Sequence, residues 1–297
     1  MPTLPLRIAF ATSDAHASLT PDDLLAVAAL RADGVHVEPA VWNEPTVRWA
    51  DFDAVVVRST WDYHHRADAF RNWIDRLEGN GARVWNPAPV LRWNMQKRYL
   101  RDLDRAGVPV VPTLWLSKGS AVDAAAVMDE RHWLDAVIKP VVSATAFRTW
   151  RVSRNEAAGG DAAARLRELL TTGDVMVQPF IAEIEREGEW SLVFIDGAFS
   201  HAVRKRPTAG DFRVQAEFGG TSVAEAPSAR VVAAAERVLR AAPRPWLYAR
   251  VDGIDTSSGF VLLELEMLEP SLFFAQGEGA AERFARAISR VARDRGV

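Results

Sequence analysis

At 297 residues the chain is long enough for two domains, or for one large domain whose subdomains share a cleft, and it can bury about 75% of its unfolded surface. It contains no cysteine, which excludes a disulfide framework, a thiolate zinc site, an iron–sulfur cluster and a cysteine nucleophile. Its 36 Lys and Arg against 39 Asp and Glu leave a net charge of −3 without a long run of one sign, so no nucleic-acid partner is expected. The opening stretch MPTLPLRIAFATSD has one basic residue and too short an apolar run for a signal peptide, and nothing approaches the ~20 apolar residues of a membrane span. A cytoplasmic protein with no membrane partner is the expectation.

In chain order, Leu6 to Thr12 reads as a strand, and Thr20-Pro21-Asp22-Asp23 opens a helix running to about Ala32, with a cap, a first-turn proline and two early acids. Val35 to Val41 and Phe52 to Arg58 read as the next strands, followed by a helix from about Ala67 to Leu77 and a short strand near Val84. Continuous apolar strands alternating with helices predict a parallel sheet covered on both faces, hence an α/β domain. The turn Asn86-Pro87-Ala88-Pro89 marks a boundary, and Asn94 to Ala106 predicts one basic amphipathic helix that carries Lys97 and stops at Gly107.

Beyond it the grammar changes. Val108 to Pro112 leads into a strand, Ala136 to Lys139 and Phe147 to Val152 are short strands, and Val175 to Ile181 is another. Trp190 to Val203 predicts a hairpin turning at Asp196-Gly197. A helix near Ser228 to Ala241, strands Trp246 to Asp252 and Phe260 to Glu266, and a helix from about Ala280 to Asp294 complete the chain.

The last two strands carry the most chemistry. Strand alternation puts Arg250 and Asp252 on one face and Glu264 and Glu266 on one face of the partner, with Val261, Leu263 and Leu265 pointing the other way into a core. Three converging carboxylates repel unless a cation lies among them, and hard oxygen donors select Mg²⁺. The competing reading is a solvated hairpin face with Arg250 in salt bridges. Lys139, at a strand end, and Lys97 are point-charge partners for phosphate or solvated surface lysines. The loop Val142 to Ala146 offers hydroxyls at Ser143 and Thr145 but no glycine. Gln178, Pro179, Phe180 and Ile181 form an extended segment suited to an adenine edge, and one of Glu183, Glu185, Glu187 and Glu189 is placed to hold a ribose. Arg204-Lys205-Arg206 and Arg213, around Gly210-Asp211, suit a polyphosphate or a substrate carboxylate. There is no P-loop signature, no dinucleotide fingerprint, no H-E-x-x-H and no G-x-S-x-G.

In order and spacing these pieces resemble the ATP-grasp superfamily over nearly the whole chain, in the layout of glutathione synthetase and D-alanine–D-alanine ligase. Val57-Arg58-Ser59-Thr60-Trp61-Asp62-Tyr63 and Gly210-Asp211-Phe212-Arg213-Val214-Gln215 with Gly219-Gly220 resemble a bacterial branch that includes the D-cycloserine-forming ligase. The resemblance implies an N-terminal parallel-sheet domain over 1–92 and an ATP-grasp domain over 93–297, with 115–180 as a small β-rich lid and the nucleotide between subdomains. By the same resemblance Lys97, Lys139, Ser143 and Thr145 contact ATP phosphates, Gln178 to Ile181 the adenine, and Glu189 the ribose. Asp252, Glu264 and Glu266 hold Mg²⁺, or Mn²⁺ in its place; Arg250 and Arg213 act on the transferring phosphoryl group; and Arg58, Ser59, Thr60, Lys205 and Ser271 meet the substrate.

The activity implied is ADP-forming ligation. A carboxylate or similar carbonyl oxygen of an amino-acid or peptide-like small molecule becomes an acyl phosphate that an amine then attacks, intramolecularly or not. A homodimer is compatible with this. The alternatives are a catalytically silent nucleotide-binding protein of the same fold, or a kinase-like transfer that stops at the phosphorylated product. The chain departs from such relatives at Glu266, where they usually carry Asn, and over Met267-Leu268-Glu269-Pro270.

Overall fold

The computed structural model describes residues 5–208 and 210–294; the first four residues of the opening stretch lie outside them. The N-terminal part alternates strand and helix as expected: β1 (Arg7–Thr12), α1 (Pro21–Ala32), β2 (His36–Val41), β3 (Ala54–Val57), α2 (Ala67–Gly79) and β4 (Val84–Trp85). The strands form one parallel sheet in the order β2-β1-β3-β4. Because a strand alternates faces, Ile8 and Phe10 of β1 enter one core with Leu30 of α1, while Ala9 and Ala11 enter another with Phe70, Trp73 and Ile74 of α2. Both faces are therefore buried.

The helix expected over Asn94 to Ala106 is two helices, α3 (Ala88–Asn94) and α4 (Tyr99–Arg105). Lys97 lies in the break, where its backbone N–H donates to the Val141 carbonyl at 2.9 Å instead of continuing a helix. Next come β5 (Leu114–Leu116), α5 (Ala124–Glu130), β6 (Asp135–Pro140), β7 (Trp150–Ser153), α6 (Arg154–Ala157), α7 (Gly160–Thr172) and β8 (Val175–Pro179). Their strands form an antiparallel sheet in the order β5-β8-β6-β7. The strand into which Val108 to Pro112 leads is β5, and the one anticipated from Phe147 starts at Trp150. Thr145, Ala146 and Arg148, with φ of 48°, 53° and 49°, keep the preceding residues in a loop.

The third sheet is also antiparallel. After α8 (Glu183–Glu187) it contains β9 (Glu189–Ile195), β10 (Ala198–Arg206), β11 (Thr221–Ala224), β12 (Tyr248–Thr256) and β13 (Gly259–Glu266), ordered β11-β10-β9-β12-β13. The β9–β10 hairpin turns at Asp196-Gly197, both with positive φ (52° and 83°), as a two-residue turn of that hand requires. Helix α9 (Ala229–Ala241) covers this sheet through Val231, Ala235 and Val238. The C-terminal helix α10 (Ala280–Arg293) instead returns to the N-terminal sheet, packing Phe284 and Ile288 beside Phe10.

As the alternation predicts, β12 and β13 pair with Arg250, Asp252, Glu264 and Glu266 on a shared face, and the register sets Arg250 opposite Glu266 and Asp252 opposite Glu264. Beyond it the expected inward set is corrected. Gly253 pairs with Leu262, so Leu263 is an unpaired bulge residue. The bulge reverses the alternation: Phe260, Leu262 and Leu265 are buried, whereas Val261 and Leu263 are half-buried and Leu263 lines a cavity. Gly253 is required at this point, since a Cβ there would lie 2.3 Å from the Phe260 ring. Among the described residues no helix is long and apolar enough to cross a membrane.

Candidate active site

A cavity of about 430 Å³ opens between the β5-β8-β6-β7 sheet, the β9–β13 sheet and the loop after β3. It gathers Lys97, Lys139, Ser143 and Thr145; Gln178 through Ile181; Glu189, Lys205 and Arg213; Arg250, Asp252, Glu264 and Glu266; and Ser271. Every residue expected to touch ATP, a metal or the transferring phosphoryl group thus faces one space.

The charges there are interlocked. Lys97 Nζ donates to the Ser143 carbonyl at 2.7 Å and its hydroxyl at 3.2 Å, and pairs with Glu264 at 3.0 Å. Arg250 holds Asp252 in two-pronged fashion, reaches Glu266 at 2.6 Å, and donates through Nη1 to the Ser271 carbonyl at 3.0 Å. Lys205 bridges Glu189 and Asp252, and Ser191 Oγ donates to Asp252 at 2.5 Å.

These contacts set the protonation states. Burial pushes Asp252 upward, but Arg250 and Lys205 outweigh it and hold the carboxyl down at about 2. Glu264 is likewise lowered, burial being overcome by Lys97 and Lys139. Glu266 goes the other way: burial, with Glu264 and Asp252 nearby, lifts it to about 8 despite Arg250. Burial raises Glu189 and lowers Lys139, the latter against the pull of Glu264. Of the three acids on β12 and β13 Glu266 is thus the raised one, burial being the main cause and the charges of Glu264 and Asp252 adding to it.

Among the described residues no three acidic or imidazole side chains stand together so as to hold a cation unaided. The reason is visible, since Arg250, Lys97 and Lys205 occupy the carboxylates. The donor set is nevertheless hard oxygen on adjacent strands, which suits Mg²⁺ or Mn²⁺, ions that usually take only one or two carboxylates and complete their shell with phosphate and water.

Three residues expected to meet a substrate lie behind the cavity wall. Arg58, 2% exposed, pairs with Asp23 at 2.9 Å, donates to the Pro270 carbonyl and sits over the rings of Tyr248, Phe274 and Phe284. Ser59 bonds Thr12, and the buried Thr60 hydroxyl has no hydrogen-bond partner among the described residues. The resemblance implies substrate contacts here, but Asp23 of α1 draws the arginine inward. In the Arg204-Lys205-Arg206 run only Lys205 faces the cavity, for Arg204 stacks on Trp190 at 3.5 Å and Arg206 pairs with Glu225. Arg213 lines the cavity while paired with Asp211 at 2.6 Å. Of the four glutamates around α8, only Glu189 lines it.

Sequence reasoning marked Met267 to Pro270 as a departure and Ser271 as a substrate contact, but missed how this segment is anchored at the far end of the cavity and gave Glu269 no role. From Met267 to Phe273 seven consecutive carbonyls each lie within hydrogen-bond distance of a side-chain donor. Asn86 serves Met267 (2.7 Å), Trp61 serves Glu269 (2.9 Å) and Arg58 serves Pro270 (3.1 Å), while the single Tyr248 hydroxyl proton lies nearest the Val57 carbonyl (2.8 Å) and reaches Leu268 only at 3.2 Å. Arg250 serves Ser271 (3.0 Å), and His201 Nε2 serves Leu272 (2.9 Å) and Phe273 (3.1 Å). Carbonyls only accept, so the His201 proton is on Nε2 and Ser200 Oγ donates to Nδ1 at 2.9 Å. An irregular backbone is thereby fixed as firmly as a strand, and the Glu269 and Ser271 side chains project from it into the cavity wall.

Comparison with known proteins agrees with this layout. Residues 8–86 match the family described as D-cycloserine synthetase DcsG, N-terminal domain, and residues 113–270 match prokaryotic glutathione synthetase, ATP-grasp domain. The chain is 34% identical over 281 residues to the cycloserine biosynthesis protein DcsG of Streptomyces lavendulae, covering 88% of this chain and 90% of that protein. The crystal structure of D-cycloserine synthetase DcsG superposes with a TM-score of 0.87 at 31% identity, covering 97% of this chain and 100% of that one. D-alanine–D-alanine ligase from Bacillus anthracis shares the fold, with a TM-score of 0.72 at 15% identity over 99% of this chain and 100% of that one.

Proposed function

The chain belongs to the ATP-grasp ligases, and on that premise we propose that it activates a carboxylate of an amino-acid-like small molecule as an acyl phosphate and joins it to an amine, at the expense of ATP. The observation that carries this reading is the convergence of Lys97, Lys139, Arg250, Asp252 and Glu264 on one cavity, bordered by the extended segment Gln178 to Ile181. The reading takes 1–92 and 93–297 as the two domains and 115–180 as the lid, supported by the separate sheet β5-β8-β6-β7.

In this reading Lys97 and Lys139 hold the phosphates, with Ser143 and Thr145 beside them. Phe180 and Ile181 flank the adenine, and Glu189 takes the ribose. Asp252, Glu264 and Glu266 would hold Mg²⁺ or Mn²⁺, whose charge offsets that of the β and γ phosphate oxygens. Arg250 and Arg213 are placed to meet negative charge as it develops on the transferring phosphoryl group, which a fixed guanidinium stabilises without reorganising. Lys205 and Ser271 face the carboxylate end, whereas Arg58 acts through Pro270 rather than by contact. No nucleophilic side chain is needed, because the attacking atoms belong to the substrates; the protein orients them and excludes water.

Similarity to a D-cycloserine synthetase supports a ring-closing, intramolecular version of the reaction. A silent binding protein is not favoured, since the matched relatives are ligases. The deciding experiment is ADP release over amino acids, dipeptides and ureido-amino acids, with hydroxylamine to trap an acyl phosphate. A hydroxamate formed only with ATP and one substrate class supports the reading; no ADP release with any compound sinks it.

A further inference from the structure

Glu269 is 7% exposed and lines the cavity. Its carboxylate makes no ion pair with any described residue, and its one hydrogen bond is to its own backbone N–H. The neighbouring cations are engaged elsewhere: Lys97 with Ser143 and Glu264, Arg250 with Asp252, Glu266 and the Ser271 carbonyl. A buried carboxylate without a partner is costly, and a cation that enters the cavity and pairs with it removes that cost. Trp61 holds the Glu269 carbonyl and Arg58 the next one, so the backbone that carries the acid is kept beside the cavity. The acid is thus fixed in the wall of an open cavity with an unmet need for positive charge.

We propose that Glu269 is the specificity-determining residue for the substrate, receiving an ammonium group in a salt bridge at the cavity end bounded by Trp61, Ser271 and Phe273. The proposal rests on the ligase reading of the same cavity and narrows it: the substrate carries a free amine, charged when it binds, in addition to the carboxylate that is activated. An ammonium suits the site because it supplies three donors and a full charge in a small volume. A neutral amide in its place would leave the carboxylate desolvated and unpaired.

The test compares amino acids with their N-acetyl counterparts as substrates under saturating Mg·ATP, in the wild-type protein and in Glu269→Gln and Glu269→Asp. The wild type should favour the free-amino member by on the order of 100-fold in kcat/KM, and Glu269→Gln should shrink that ratio by about 10-fold or more through KM, the size of a charge-assisted hydrogen bond. Glu269→Asp should restore part of it, and the KM for ATP should stay within about twofold. The proposal is overturned if the wild type does not distinguish the two forms, if Glu269→Gln leaves the ratio unchanged, or if Glu269→Gln acts on the KM for ATP instead. Failure of the ligase reading shows separately, as no ADP release with any compound. Calorimetric titration of the same pairs then still decides the role of Glu269: a free-amino form bound no better than the N-acetyl form, or not at all, overturns it.

Discussion

Arg250 and Asp252 lie two residues apart on one face of β12 and form a two-pronged ion pair, Nε 2.9 Å from Oδ1 and Nη2 2.8 Å from Oδ2. Both are buried, so removing one partner strands the other. Arg250→Ala should destabilise the protein by about 3 kcal/mol, readable by urea unfolding, and should lower kcat and kcat/KM together. Lys139→Ala should chiefly raise the KM for ATP. An Arg250→Ala protein with intact kcat and a raised KM for ATP would remove the arginine from the phosphoryl-transfer step.

The acids opposite each other on β12 and β13 give a second prediction. Asp252→Asn and Glu264→Gln should abolish ADP formation while leaving a folded protein. Glu266→Asn should keep part of the activity, because it exchanges a carboxyl already biased toward its neutral form for a neutral side chain. Equal loss in Glu266→Asn and Glu264→Gln would contradict this ordering.

A third concerns pH. Burial lifts Glu266 to about 8 and Glu269 to about 7, both above the ordinary 4.5. A raised carboxyl binds its proton more tightly in the folded state, so its contribution is complete below the unfolded value and is lost as pH rises through the folded one. Asp252, held at about 2, contributes with the opposite sign, its share vanishing as pH falls from 3.8 toward 2. The Tm of the ligand-free protein should therefore decline between about pH 5 and pH 8.5, and Glu266→Gln should flatten that decline. A parallel decline in the variant would refute the assignment.

Nucleotide binding should appear as stabilisation. A ligand held only by the folded state raises the Tm by mass action, about 2.7 kcal/mol at a hundredfold excess over Kd. The shift should need Mg²⁺ or Mn²⁺ and be lost with EDTA. No shift at millimolar Mg·ATP would count against the nucleotide site itself.

Asn86 tests the scaffold apart from the chemistry. Fully buried, it donates to the Tyr248 and Met267 carbonyls at 2.8 and 2.7 Å and accepts from the Leu247 N–H at 2.6 Å. Asn86→Ala leaves several backbone groups without partners at roughly 1–3 kcal/mol each, so a loss above about 3 kcal/mol is expected in denaturant unfolding. A loss under about 1 kcal/mol would show that water replaces the amide.

What could be read from the residues, and what could not, divides along local and tertiary causes. The shared face of Arg250 and Asp252, and that of Glu264 and Glu266, was legible because period-two alternation is local, whereas the register that sets Arg250 opposite Glu266 was not. The bulge at Leu263 was not, since one unpaired residue leaves no trace in composition. The break at Lys97 was hidden because its cause, the Val141 carbonyl, lies more than forty residues away. Helix α5 had a readable cap in Asp123, which accepts from the Ala125 and Ala126 N–H groups, whereas α7 starts after Gly159 with no side-chain cap at all. Glu269 escaped because it belongs to no periodic element and its place is decided by Trp61 and Arg58.

The pinned backbone from Met267 to Phe273 separates two jobs that most binding loops combine. Its path is dictated by Asn86, Trp61, Arg58, Arg250 and His201, none of which it contains, so what hangs from positions 269 and 271 has little say in where the chain runs. Such a segment is a fixed mount with exchangeable fittings: its outward side chains can be traded for others of similar bulk while the frame keeps its shape, and the cavity can be redirected to a different small molecule by changing residues that the fold does not depend on.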